Sequence, residues 1–169
     1  MKLLRLVKHL IAPHWLAQRA FPAAVLEAVE AAVRAMERRH AGELRFVVEA
    51  GLPLSLLWHD VSARERAIDV FSRLRIWDTE HNNGVLIYLQ LIDRRVEIVA
   101  DRGINAKVEQ SKWDAVCRAM EATFRVGAYA RGALQAVESV GQLLAENFPA
   151  VPGSGETVPN ELPDRPLLL

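Results

Sequence analysis

"NNGVLIYLQLIDRRVEIVADRGI", residues 82–104, opens on a turn signal at Asn82, Asn83 and Gly84, runs apolar from Val85 to Leu91, and reverses through Asp93 and Arg94 into an alternating run at 95–100. Two such runs joined by a short polar turn predict a β-hairpin. The first is apolar on both faces, as a central strand covered by helices on each side must be. Outward from it, Ser62 and Glu65 make an S-x-x-E capping box, followed by the stripe Ala67, Val70, Phe71 and Leu74, which predicts a helix over 62–76. Before that helix, "ELRFVVEA" (43–50) alternates like a strand. A strand, crossover helix and strand in one sheet are normally joined right-handed, so 43–50 and 84–91 should run parallel, with 95–100 antiparallel beside the latter. The residues therefore predict an α/β sandwich built on a mixed sheet.

The flanks supply the helices. Val25, Val29, Ala32, Val33 and Met36 recur at three- and four-residue steps behind Pro22, and Gly42 ends that run. Ser111 is placed to cap a helix whose apolar face is Trp113, Val116, Cys117, Met120 and Phe124, with Gly127 at a left-handed exit. A last helix over 129–147 turns Ala133, Val137, Val140 and Leu144 inward. The segment 51–60 holds a proline and no clean period, so it is expected as an apolar loop that packs down on the domain. After Phe148 the chain carries five of its eight prolines without periodicity, which predicts a disordered tail. The expected organisation is an amphipathic extension over 1–21, one α/β domain over 22–149 and the tail over 150–169.

Charge and motifs remove several function classes. Lysine plus arginine equals aspartate plus glutamate at 21 each, so no overall field gathers nucleic acid or an anionic membrane. The basic runs 38–40 and 64–67 lack the interleaved aromatics of a base-stacking platform, so nucleic acid is not an expected partner. In "MKLLRLVKHLIAPHW", Lys8, His9 and Pro13 break the apolar run far short of the roughly 20 residues that span a bilayer. That start is instead amphipathic, with Leu3, Leu6, Val7 and Leu10 on one face, suited to packing on the domain, to a protein partner or self-association, or at most to peripheral membrane contact. Cys117 is the single cysteine, which suits a reducing compartment and a cytoplasmic protein. No phosphate-cradling P-loop, H-E-x-x-H or C-x-x-C occurs, and Cys117 lacks the arginine of a C-x₅-R phosphatase loop because residue 123 is threonine. His59, Asp60 and His81 have no serine paired to them by motif.

The predicted topology gathers oxygen-bearing residues at one end of the sheet. The two parallel strands start at Glu43 and Asn83, the antiparallel strand finishes at Asp101, and the crossover helix delivers Asp78 to the same end. Asp78, Asn82, Asn83 and Asp101 are the candidate ligands of a divalent cation, calcium first, because a hard cation takes six to eight oxygens in flexible geometry. The alternative is that these residues are turn formers bonded to their own backbone. "DRGINAKVEQSKWD" is not an EF-hand: Gly103 sits at loop position three, Ala106 replaces the glycine at six and Lys112 replaces the glutamate at twelve.

Taken together, "GELRFVVEA" (42–50), the continuous stretch from Ala63 to Ile104, the F-x-x-G-x-Y-x-x-G step at Phe124, Gly127, Tyr129 and Gly132, and the closing "FP" at 148–149 resemble the TPM domain family across residues 22–149. The resemblance implies a three-layer α/β/α sandwich with a small mixed sheet. It also implies mixed roles, acid phosphatase activity and photosystem repair for chloroplast-lumen forms and calcium binding for some bacterial forms. The chain looks like the short cytosolic bacterial type, without the signal peptide and C-terminal membrane helix of other members. The expected function is thus a regulatory or scaffold protein that binds a divalent cation. The alternatives are a metal-dependent phosphatase, in which the same carboxylates hold a metal that activates water, and an interaction module using the N-terminal stretch and Leu54, Leu56, Leu57 and Trp58.

Overall fold

The computed structural model describes Arg5, residues 7–9, residues 15–150 and residues 160–169. Its helices are Trp15–Ala20, Ala23–Glu37, Leu54–Trp58, Ala63–Arg73, Arg102–Asn105, Gln110–Arg125 and Tyr129–Asn147. Its strands are β1 (Glu43–Glu49), β2 (Gly84–Gln90), β3 (Arg95–Ala100) and β4 (Leu167–Leu168). The sheet has the order β3-β2-β1-β4. Strand β1 pairs parallel with β2 from Glu43↔Gly84 to Glu49↔Gln90, and β2 pairs antiparallel with β3 from Val85↔Ala100 to Gln90↔Arg95. The hairpin and the parallel crossover expected from residues 43–100 are thus the centre of the fold. No helix among the described residues is long and apolar enough to cross a membrane.

Strand alternation sorts side chains into two cores. Leu44, Phe46, Val48, Val85, Ile87, Leu89 and Ile98 join Val33, Trp113, Met120, Val137 and Leu144 from the three long helices outside the crossover. On the opposite face Val47, Leu86, Tyr88 and Val99 meet Ala67, Val70 and Phe71 of the crossover helix, whose capping box at Ser62 and Glu65 is formed. Three layers result, as an α/β/α sandwich requires. Ala17 and Phe21 are buried in the first core, so packing begins before the boundary expected at residue 22. Of the amphipathic face expected near the start, Leu3, Leu6 and Leu10 lie outside the described residues, and Val7 is exposed.

Three local expectations need correction. The tail is not disordered throughout, because residues 160–169 lie along the outer side of β1, where Leu167 and Leu168 pair parallel with Val47 and Val48. Composition could not signal this, since the segment is held by remote groups instead of a periodic face. The Arg45 guanidinium donates to the carbonyls of Pro163 and Arg165, Glu43 accepts from the Leu162 N–H at 3.1 Å, and Arg34 pairs with Asp164 at 2.9 Å. The 51–60 segment does not pack down as a loop: only Leu52 is buried, and Pro53 opens the short helix Leu54–Trp58, which leaves Trp58 81% exposed. Ser111 lies one residue inside its helix, and Glu109 holds the cap position without a side-chain capping bond, its carboxylate accepting from the Ser111 hydroxyl at 3.3 Å.

Candidate functional site

The end of the sheet where β1 and β2 begin is built by backbone pairing. The Glu43 N–H donates to the Asn83 carbonyl at 3.1 Å, and the Asp101 N–H donates to the Gly84 carbonyl at 2.9 Å. The approach from the crossover helix is a chain of tight turns, in which Asp78 N–H donates to the Arg75 carbonyl at 2.9 Å and Asn82 N–H to the Thr79 carbonyl at 3.2 Å. Asn82 takes a left-handed φ of 52°, which asparagine tolerates better than most residues. Thr79 was not singled out from sequence, yet its buried hydroxyl accepts the Asn83 N–H at 3.0 Å and fixes the loop to the strand. Two glycines permit the closure. A Cβ on Gly84 would lie 2.0 Å from the Ile76 carbonyl oxygen, and one on Gly103 would lie 2.6 Å from the Asn82 and 3.0 Å from the His81 carbonyl oxygens.

The four candidate ligands occupy different environments. Asp101 is 9% exposed and caps the unexpected helix Arg102–Asn105, its Oδ1 accepting the Arg102 N–H at 2.6 Å. Its Oδ2 is buried and has no hydrogen-bond partner among the described residues. Asn83 is buried, with Nδ2 donating to the Ala41 carbonyl and Oδ1 left without a donor among the described residues. Asn82 gives its Oδ1 to the Arg102 guanidinium at 2.9 Å. Asp78 is exposed, and its side chain has no bond among the described residues. Strand alternation carries Asn83 to the side of Val85 and Asp101 to the side of Val99, so the two orphaned oxygens flank the sheet end. Among the described residues no group of three or more His, Cys, Asp or Glu side chains is placed to hold a metal.

Leaving a buried acceptor unpaired costs about 1–3 kcal/mol, and more for a charged group, so water or a cation normally fills such a position. The oxygens this end of the sheet offers are the Asp101 carboxylate, the Asn82 side chain, which Arg102 holds, and the loop carbonyls of His81 and Asn82 that press on Gly103. All are hard oxygens, a set that fits calcium and not a metal favouring nitrogen or sulfur.

Elsewhere the titratable groups are structural. Arg66 clasps Glu49 with both prongs, at 3.0 and 2.8 Å, while the Tyr88 hydroxyl donates to Glu49 Oε2 at 2.5 Å. These hydrogen bonds raise the affinity of the Arg66 guanidinium for its proton, and burial does the same for the Tyr88 phenol. Sequence reading missed this network, although Glu49 at the end of an apolar strand was its signal. Burial, with the Glu43 and Asp164 carboxylates nearby, lifts the Glu37 carboxyl to about 8. Burial also pushes the Cys117 thiol up to about 12, which leaves it inert as a nucleophile, and holds the His40 imidazole down at about 4.

Comparison with known proteins bears on the whole domain. The model of the TPM domain family matches residues 18–143. The BA42 protein from the psychrophilic bacterium Bizionia argentinensis, solved by NMR, is 30% identical, with 88% of this chain and 95% of that chain covered and a TM-score of 0.74. The N-terminal domain of a protein from P. gingivalis shares the fold, at 23% identity, 75% and 77% coverage and a TM-score of 0.60. No curated protein matches the chain.

Proposed function

The chain belongs to the TPM domain family, and from that premise we propose that it binds a divalent cation, calcium by preference, where the 78–83 loop meets Asp101, with a regulatory or scaffold consequence. The observation that carries the reading is the Asp101 Oδ2, a buried carboxylate oxygen without a donor. Asp101 is the anchor. The His81 and Asn82 carbonyls and the Asn82 side chain complete its side, Asp78 adds a second carboxylate from the exposed side of the loop, and Asn83 stiffens the strand start beneath them. The bound cation would supply charge to an otherwise uncompensated carboxylate and tie the loop to the hairpin. The phosphatase alternative has less support, because a metal that activates water is usually held by several carboxylates or histidines, and the described residues gather no such group. Cysteine usage supports a cytoplasmic location, since Cys117 has no second cysteine to pair with.

The test is thermal unfolding in chelator and in calcium. Saturation at 100 times the dissociation constant stabilises by about 2.7 kcal/mol, which raises the melting temperature by roughly 5–11 °C for a domain of this size. Asp101→Asn keeps a good helix cap but removes the charge, and should abolish the shift. An unchanged melting temperature for the wild-type protein in excess calcium overturns the proposal.

A further inference from the structure

The opposite end of the sheet, past the hairpin turn, carries a cavity of about 470 Å³ that plays no part in the cation reading. Its walls come from three separate pieces of chain: Leu16 and Ala20 from the first described helix, Leu91 and Ile92 from the end of β2, and Tyr129 from the start of the last long helix. The Tyr129 ring is seated by aromatic neighbours, Phe124 at 5.2 Å and Phe21 at 5.9 Å between ring centroids. This size lies within the range of small-molecule pockets, which are mostly apolar with a few placed polar groups. Here the polar groups are two guanidiniums. Arg19 and Arg94 line the cavity with no acidic residue among its described lining, and neither guanidinium has a hydrogen bond or ion pair among the described residues. The neighbouring Asp93 does not neutralise them, because its two oxygens are engaged by Arg5 at 2.7 Å and His9 at 3.1 Å. Arg94 also holds a left-handed φ of 54° in the turn.

We propose that this cavity binds a small amphipathic carboxylate, a medium-chain fatty acid in chemical class, with its hydrocarbon chain against Leu16, Leu91, Ile92 and the Tyr129 ring and its head group between Arg19 and Arg94. A guanidinium is a planar fork matched to a carboxylate, and two lining a cavity that also carries Leu16, Leu91, Ile92 and Tyr129 select an anion with an apolar body over a neutral hydrocarbon or a cation. Hairpin and helix packing place the apolar walls of the site, and both arginines are exposed.

Decanoate below its micellar concentration, titrated into the full chain and followed by amide NMR, tests the proposal. Saturable shifts centred on Leu91, Ile92 and Gly127 are expected. The double variant R19Q/R94N keeps the turn, because asparagine tolerates a positive φ, and should weaken decanoate at least tenfold while leaving decanol binding unchanged. Absence of saturable shifts at those amides, or decanoate binding equally well to the double variant, overturns it. Shifts that appear only with anionic vesicles also overturn it, because they mark a membrane surface in place of a ligand cavity.

Discussion

The two faces of the sheet are closed by different physics. On one face three long helices lay apolar stripes over Phe46, Val48, Ile87 and Ile98, and a contiguous aromatic group of Phe21, Phe46, Phe124 and Tyr129 fills the space between them. The other face receives one helix of eleven residues and the C-terminal strap, and its strands present Glu43, Arg45 and Glu49 from inside. Those three side chains are nevertheless 4%, 9% and 2% exposed. The first face gains stability from area removed from water, which is tolerant of direction. The second depends on each buried charge meeting a matched partner, since one left alone is costly. A sheet with too little helix to cover its second face can thus be closed by ion pairs and main-chain carbonyls.

The contrast can be broken by comparing substitutions across the faces. Phe46→Ala empties the middle of the apolar face and should cost about 3–5 kcal/mol, lowering the melting temperature by roughly 6–20 °C. Arg66→Ala on the other face should cost about 3 kcal/mol in urea unfolding, because it strands the buried Glu49 carboxylate. The triple change Glu49→Leu, Arg66→Met and Tyr88→Phe should recover most of that loss, to within about 1 kcal/mol of wild type. If the triple variant is no more stable than Arg66→Ala, the polar face is held by packing and the contrast fails. A pH dependence sharpens it. The unfolded Glu37 carboxyl gives up its proton near 4.5 and the folded one near 8, so the folded state binds more protons between those values and stability falls as pH rises through that window. Glu37→Gln keeps an acceptor for the Leu44 N–H, which Glu37 Oε1 now holds at 3.0 Å, and removes that decline. Its melting temperature relative to wild type should therefore be higher at pH 8 than at pH 5; a ratio unchanged with pH would mean that Glu37 is not protonated in the folded protein.

The same contrast explains which parts of the fold were legible in the sequence. The hairpin, the parallel crossover and the long helices follow from apolar periodicity and a capping box, signals that act within a few residues of one another. Glu43 and Arg45 looked like the wet positions of an alternating strand, and nothing within "ELRFVVEA" announces that Leu162, Pro163 and Arg165 will cover them from 118 or more positions away. The candidate site divides in the same way. Topology brought Asn83 and Asp101 to adjoining strand ends, as expected, but the Arg102 guanidinium on Asn82 and the hydroxyl of Thr79 under Asn83 are loop contacts that no spacing encodes. Asp101 was identified as a ligand candidate and missed as a helix cap, because the four-residue helix after it is too short to show a period.

Strand β4 is only two residues long, yet it and the segment before it lie along the one flank of β1 that β2 leaves open. An unpaired flank offers amides and carbonyls to any extended polypeptide, and this one already has its complement from the same chain. Addition of a foreign strand directly to β1 on that side would first have to peel away a segment clamped by Arg45 and Arg34.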